Sequence, residues 1–290
     1  MRRGVPRLAL VALVLFGCSV ISPRTVLYEA DSAYNHLVVS EDHQGWRYLQ
    51  FEQGGATQSQ VRPGHPLELK LPYTRVAMAG LAFVPEPRRI LVVGLGGGAM
   101  PMFLRAVWPE AHIDVVELDP AVVEVARRYF GFQEDPALRV HVGDGRRFIE
   151  SPGPAYDLLF LDAYSASSIP EHLTTHEFLG AVRARLAPGG AVVANVWERP
   201  NPLFGPMVHT YQASFARLYT FDVPGSANRI LVGLPHPKAH SRQSLQARAE
   251  RLERERGVPF DLSALVARGY EDATERPRPG RLLTDPPGAR

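Results

Sequence analysis

Hydrophobic and polar positions change their period along the chain, and the changes mark out elements. From Thr25 to Leu71 short β-rich runs alternate with turn residues. Leu37-Val38-Val39 and Trp46 to Phe51 read as strands joined by a hairpin connection at Asp42 to Gly45. Gln53-Gly54-Gly55 turns the chain into a further strand around Ala56 to Val61, so a small antiparallel sheet is expected. Tyr73 to Phe83 is helix-like, and Pro85-Glu86-Pro87 ends it. Strand and helix patterns then alternate. Strands are predicted at Arg89 to Val93, Ile113 to Glu117, Arg139 to Val142, Tyr156 to Leu161 and Ala191 to Val196. Helices are predicted at Ala99 to Val107, Pro120 to Tyr129 and Thr175 to Leu186, the last stopped by Pro188-Gly189-Gly190. Apolar strands joined by helices predict a parallel sheet covered on both faces. A helix through about Leu218 and strands near Tyr219 to Val223 and Arg229 to Leu234 would complete it. Ser241 to Arg256 reads as a charged, solvated helix, and the proline-containing last dozen residues as a loose tail.

The first 17 residues follow another rule. Arg2, Arg3 and Arg7 precede a short apolar run, Leu8 to Phe16, in the manner of an export signal and too short to span a bilayer. Leu15-Phe16-Gly17-Cys18 resembles a bacterial lipobox, and Cys18 is the chain's single cysteine, so lipidation there and a membrane-anchored place in the cell envelope are expected. An unprocessed leader would leave the protein cytoplasmic. The expected organisation is a signal peptide over 1–17, a small β domain over 18–72, a Rossmann-like domain over 73–240 and a charged helix with its tail over 241–290.

Composition narrows the classes. Of 290 residues, 45% are hydrophobic and 21% charged, a balance that supports a packed core. The net charge of +2 becomes −1 without the three leader arginines, so nothing argues for nucleic acid. A cysteine nucleophile and disulfides are excluded from the folded part.

Three strand-end loops carry candidate chemistry. The strand Ile90 to Val93 runs into Gly94-Leu95-Gly96-Gly97-Gly98, where glycines suit a sharp turn and a ligand lying against the backbone. Glu117 ends the next strand 23 residues after Gly94, where a carboxylate can accept ribose hydroxyl protons. Asp144, followed by Gly145, lies after the third strand; it can accept from an adenine amino group or cap the helix Arg146 to Ile149. Together they suit an adenosine without phosphates, as in S-adenosylmethionine-type donors. His172, His176 and Glu177 lack a further ligand cluster, so no metal is expected. Ser165 to Ser168 lacks the glycine-flanked elbow of a hydrolase.

Around these loops the sequence resembles the spermidine synthase (polyamine aminopropyltransferase) family, over roughly Tyr48 to Leu234. The resemblance rests on Gly55 to Ser59, Leu71 to Arg75, Gly94 to Gly98, Val116 to Asp119, Gly143 to Gly145, Leu161 to Ser165 and Ile169 to Thr175. It implies a Rossmann-like, methyltransferase-type α/β domain preceded by a small antiparallel β domain. It also implies aminopropyl transfer from decarboxylated S-adenosylmethionine to an amine, and commonly a dimer or tetramer. Gln58, Gly94, Gly96, Gly98, Glu117, Asp144 and Gly145 would then hold the donor. Asp162 would take the proton of the attacking amine, which has no free electron pair until it is deprotonated. Tyr73 and Tyr164 would orient the nucleophile, and Tyr164 and Ser165 would face the acceptor. Ser165 stands where polyamine-making members carry a second aspartate, and Thr74-Arg75 where they carry His or Gln then Glu, so putrescine is expected to fit poorly. No acid lies between Gly94 and Arg105, so ordinary S-adenosylmethionine stays open as donor. A methyltransferase acting on another small nucleophile, and a silent envelope scaffold on the same fold, are the alternatives.

Overall fold

The computed structural model describes residues 24–164, 169–199, 201–276, 278 and 280–288. The leader, Cys18 and Ser165 lie outside the described residues.

Four strands, β1 (Thr25–Asp31), β2 (His36–Glu41), β3 (Arg47–Gln50) and β4 (Thr57–Val61), pair consecutively and antiparallel. Their apolar residues Leu37, Val39, Leu49 and Val61 pack on Val122, Val125 and Phe130 of the following body. Two short helices come next, α1 (Pro72–Ala77) and α2 (Gly80–Phe83), where one continuous helix is expected from sequence. At the junction the backbone sits close against Val193: a Cβ on Gly80 would come within 2.4 Å of its side chain.

The large sheet begins with β5 (Arg89–Val93), α3 (Ala99–Val107), β6 (His112–Glu117), α4 (Pro120–Tyr129), β7 (Leu138–Val142), α5 (Gly145–Glu150) and β8 (Tyr156–Leu161). A short 3₁₀ turn (Glu171–Leu173) leads to α6 (His176–Ala184), β9 (Leu186–Trp197), α7 (Phe204–Ser214), β10 (Arg217–Asp222) and β11 (Asn228–Leu234). The chain then adds α8 (Arg242–Arg256), α9 (Leu262–Gly269) and β12 (Tyr270–Asp272). Strand order is β12-β10-β11-β9-β8-β5-β6-β7, with β5 to β9 parallel and β11 antiparallel to both neighbours.

Three expectations are corrected. Pro188-Gly189-Gly190 does not stop the helix: α6 ends at Ala184, Leu186 already pairs with Tyr156, and the Pro-Gly-Gly run forms a bulge before Ala191 meets Leu158. The charged helix α8 buries Leu245, Ala249 and Leu252, and its continuation adds β12 to the sheet through β10. Residues 280–288 of the tail are not loose, because Leu283 is buried and Asp285 is ion-paired with Arg146.

Strand β5 has β6 on one side and β8 on the other. The connection after β5 runs to β6 and that after β7 returns to β8 on the other side of β5, so a crevice opens beyond the strand ends at that switch point.

Candidate active site

The crevice is an open cleft of about 1120 Å³ including its mouth, lined from both sheets. Its first wall is the turn after β5. Gly94 has φ +101° and its N–H donates to the Val116 carbonyl at 2.8 Å. A Cβ there would lie 2.3 Å from the Asp162 carbonyl oxygen, so the main chain after β8 requires this glycine. Gly97 is crowded by Phe130 and Ser59, and Gly98 by Phe132. Gly98 caps α3 and does not line the cleft, which corrects its expected donor contact. Gly94 and Gly96 do line it. The glycine run is therefore largely a packing requirement of the protein itself.

Glu117, at the end of β6, accepts from the Leu95 N–H at 2.9 Å with one oxygen and from the Asp119 N–H at 3.0 Å with the other. A carboxylate has about four acceptor positions, so two remain for a ribose diol. Burial raises its pKa against those two backbone bonds. Asp144 fulfils the capping role: its Oδ1 accepts from the Arg147 N–H at 2.9 Å. Its Oδ2 lies 2.8 Å from His172 Nε2. Burial opposes its charge, yet the Arg147 amide and His172 hold its pKa below the usual carboxylate range. Gly145 and Gln58 also line the cleft.

Asp162 follows β8, and its N–H bonds back to the Val93 carbonyl at 2.9 Å. Oδ1 accepts from Asn195 Nδ2 at 2.9 Å and Oδ2 from the Tyr73 hydroxyl at 3.1 Å. Enclosure by protein pushes its pKa up to about 7 against those two donors. Asp162 is thus poised to exchange a proton near neutrality. Burial and the neighbouring carboxylate keep the Tyr73 phenol protonated, so it donates. Tyr164 donates to the Asn195 carbonyl at 2.8 Å. Asn195 was not legible as a site residue, although it is the lone polar side chain in the apolar run Ala191 to Val196.

Other participants were also missed. Tyr34, Asn35 and Phe51 from the small sheet and His172 from the 3₁₀ turn line the cleft. Ser32 donates to Asp119 Oδ2, and Asn35 Nδ2 bonds the same oxygen at 3.3 Å, which brings the β1–β2 turn over the cleft. Arg75 is half-buried and is not among the cleft residues, whereas Thr74 is. The arginine invoked against putrescine is thus away from the site. His172 and His176 have separate partners, Asp144 and Ser214. Among the described residues Glu117, Asp119, Asp144 and Asp162 give the lining four carboxylates, and it contains no lysine or arginine.

The chain is similar to known proteins. The Spermine/spermidine synthase domain model matches residues 73–216. A polyamine aminopropyltransferase of Vibrio vulnificus is 38% identical over 255 residues, which cover 84% of this chain and 84% of that protein. Among solved structures, a probable spermidine synthase from Corynebacterium glutamicum superposes with TM-score 0.71 at 22% identity, covering 93% of this chain and 98% of that one. Human methyltransferase-like protein 13 in complex with SAH superposes with TM-score 0.61 at 30% identity, covering 66% of this chain and 95% of that one. The expected fold, a Rossmann-like α/β domain behind a small antiparallel sheet, is the one these structures have.

Proposed function

The chain belongs to the spermine/spermidine synthase family, and from that premise we propose that it transfers an aminopropyl group from decarboxylated S-adenosylmethionine to a small amine. The observation that carries this reading is the cleft itself: an enclosed Asp162 titrating near 7, in a lining with four carboxylates and no lysine or arginine among the described residues.

The charge distribution selects the donor. Decarboxylated S-adenosylmethionine brings a sulfonium and an ammonium and no carboxylate. Ordinary S-adenosylmethionine adds a carboxylate with no lysine or arginine in the described lining to receive it. One such repulsion at roughly 6 Å is worth about 3 kcal/mol at an effective dielectric constant of about 20.

In the transfer, the acceptor ammonium gives a proton to ionised Asp162 and so gains a free electron pair. The amine nitrogen attacks the aminopropyl carbon attached to sulfur. A C–N bond forms, the C–S bond breaks, its electron pair stays on sulfur, and methylthioadenosine leaves. Tyr73 and Asn195 fix the Asp162 carboxylate from both sides, while Glu117 and Asp144 hold ribose and adenine. Among the described residues lining the acceptor half, Asp162 is the single carboxylate. A monoamine, or a diamine whose second ammonium reaches solvent, fits it best.

Methyl transfer from S-adenosylmethionine is the second reading, favoured by the likeness to the SAH-bound human methyltransferase. Calorimetric titration decides between them. Decarboxylated S-adenosylmethionine should bind at least tenfold more tightly than S-adenosylmethionine. The reverse order would favour methyl transfer, and no binding of either would end both readings.

A further inference from the structure

The end of the described chain returns to the nucleoside side of the cleft. Residues 281–286 line a groove together with Arg146, His172, Thr175 and Leu203. Arg146, on the first turn of α5, directly follows the Asp144-Gly145 pair, and its side chain is 16% exposed against 15% for Asp285. The two meet as a fork, Nη1 to Oδ1 at 2.6 Å and Nη2 to Oδ2 at 2.5 Å. The other donors of Arg146 reach Glu150 at 2.7 Å and the His172 carbonyl at 3.1 Å. Backbone bonds fasten the same segment along its length. The His176 N–H donates to the Leu283 carbonyl at 2.8 Å, the Leu283 N–H to Thr210 Oγ1 at 3.0 Å, and the Asp285 N–H to Glu177 Oε2 at 3.0 Å.

One segment therefore ties α5, α6 and α7 together around the 3₁₀ turn that carries His172 into the cleft. Arg146 is the hub, because it grips the tail and the His172 main chain at once. His172 in turn sets its ring against Asp144, 2.8 Å away. The partners of Asp162, namely Tyr73 and Asn195, are not among the residues of this groove.

We propose that residues 281–286 are a positioning strap for the donor site, acting through Arg146 and Asp285 on His172 and Asp144. The strap sets donor affinity and leaves the proton transfer at Asp162 alone. This inference rests on the nucleoside reading of the cleft. Without the fork the 3₁₀ turn loses its brace, and the adenine edge must be ordered by the donor itself at a cost in affinity. The amide of Asp285→Asn keeps one accepting oxygen, which cannot make both bonds of the fork.

The test uses the full chain with Asp285→Asn, Arg146→Met and the double variant, each compared with wild type by calorimetric titration with decarboxylated S-adenosylmethionine. Each single variant should weaken donor binding 3- to 10-fold, and the double variant no more than the worse single one. At saturating donor kcat should stay within about twofold, and the acid limb of the pH–rate profile should not move. If Arg146→Met does not fold, as judged by circular dichroism, Asp285→Asn carries the comparison alone. Folded variants that bind donor as tightly as wild type would overturn the strap, as would a loss confined to kcat. Wild type that binds no adenosyl donor would instead overturn the nucleoside reading.

Discussion

As the proposed base, Asp162 would join two demands that usually conflict, since it would have to be ionised to take a proton and enclosed to act on a desolvated amine. Burial pushes its pKa up from about 3.8 to about 7, and the Tyr73 and Asn195 donors limit the rise. The rate should follow the ionised fraction, so kcat/KM should climb about tenfold per pH unit below about 7 and level off above it. A pH-independent kcat/KM between about 5 and 8 would remove Asp162 from the role of base. The stability consequence has the opposite sign. The folded state binds the proton more tightly than the unfolded chain, so this residue's contribution is full below about 3.8 and is lost as pH rises through about 7. Asp162→Asn should therefore abolish most transfer, by at least about 10²-fold, and retain donor binding. At pH 8 it should unfold later than wild type, by on the order of 1–3 kcal/mol in a denaturant titration.

At the scale of elements, three neighbouring strands aim that carboxylate. Asn228 at the start of β11 donates to Asn195 Oδ1 at 2.8 Å, and Ser226 donates to Asn228 Oδ1 at 2.5 Å. With its oxygen engaged, the Asn195 amide on β9 can present only its NH₂ to Asp162, beyond β8. The antiparallel pairing of Asn228 with Trp197 and Ile230 with Asn195 sets the register that makes the relay possible. Removing Asn228 frees the amide to turn over. Losing a donor to the carboxylate raises its pKa, so Asn228→Ala should shift the acid limb of the pH–rate profile upward. It should also lower kcat/KM at pH 7 by about 3- to 10-fold, in line with one net hydrogen bond of about 1 kcal/mol. An unmoved acid limb would mean that Asn195 is held without Asn228.

At the scale of the molecule, the cleft exists because two sheets meet. The small sheet packs its apolar face on α4, and Arg47 donates to the Tyr129 carbonyl beside that contact. Asp119 links the bodies over the cleft: one oxygen caps α4 through the Ala121 N–H at 2.9 Å, and the other receives Ser32 and Asn35. Asp119→Ala should cost about 2–4 kcal/mol, combining a lost cap of about 1 kcal/mol with the lost bonds to the β1–β2 turn. Because Tyr34 and Asn35 line the cleft, the same change should weaken donor binding. A thermal melt and a donor titration check the two effects, and a destabilised variant with wild-type donor affinity would mean that the turn closes no part of the site.

Local residue patterning encodes the order and kind of most elements, the glycine turn after β5, the acids ending or following β6, β7 and β8, and through them the family. These are local properties, carried by the period of apolar residues and by which residue stands at a strand end. Tertiary packing alone decided what those residues touch. Gly94 is required by the Asp162 carbonyl, Asn195 and Tyr73 converge on one carboxylate, Arg75 stays out of the cleft, and Asp285 reaches back to Arg146. Each joins positions far apart in the chain, and such pairings follow from sheet register and helix docking, which no local pattern of residues encodes.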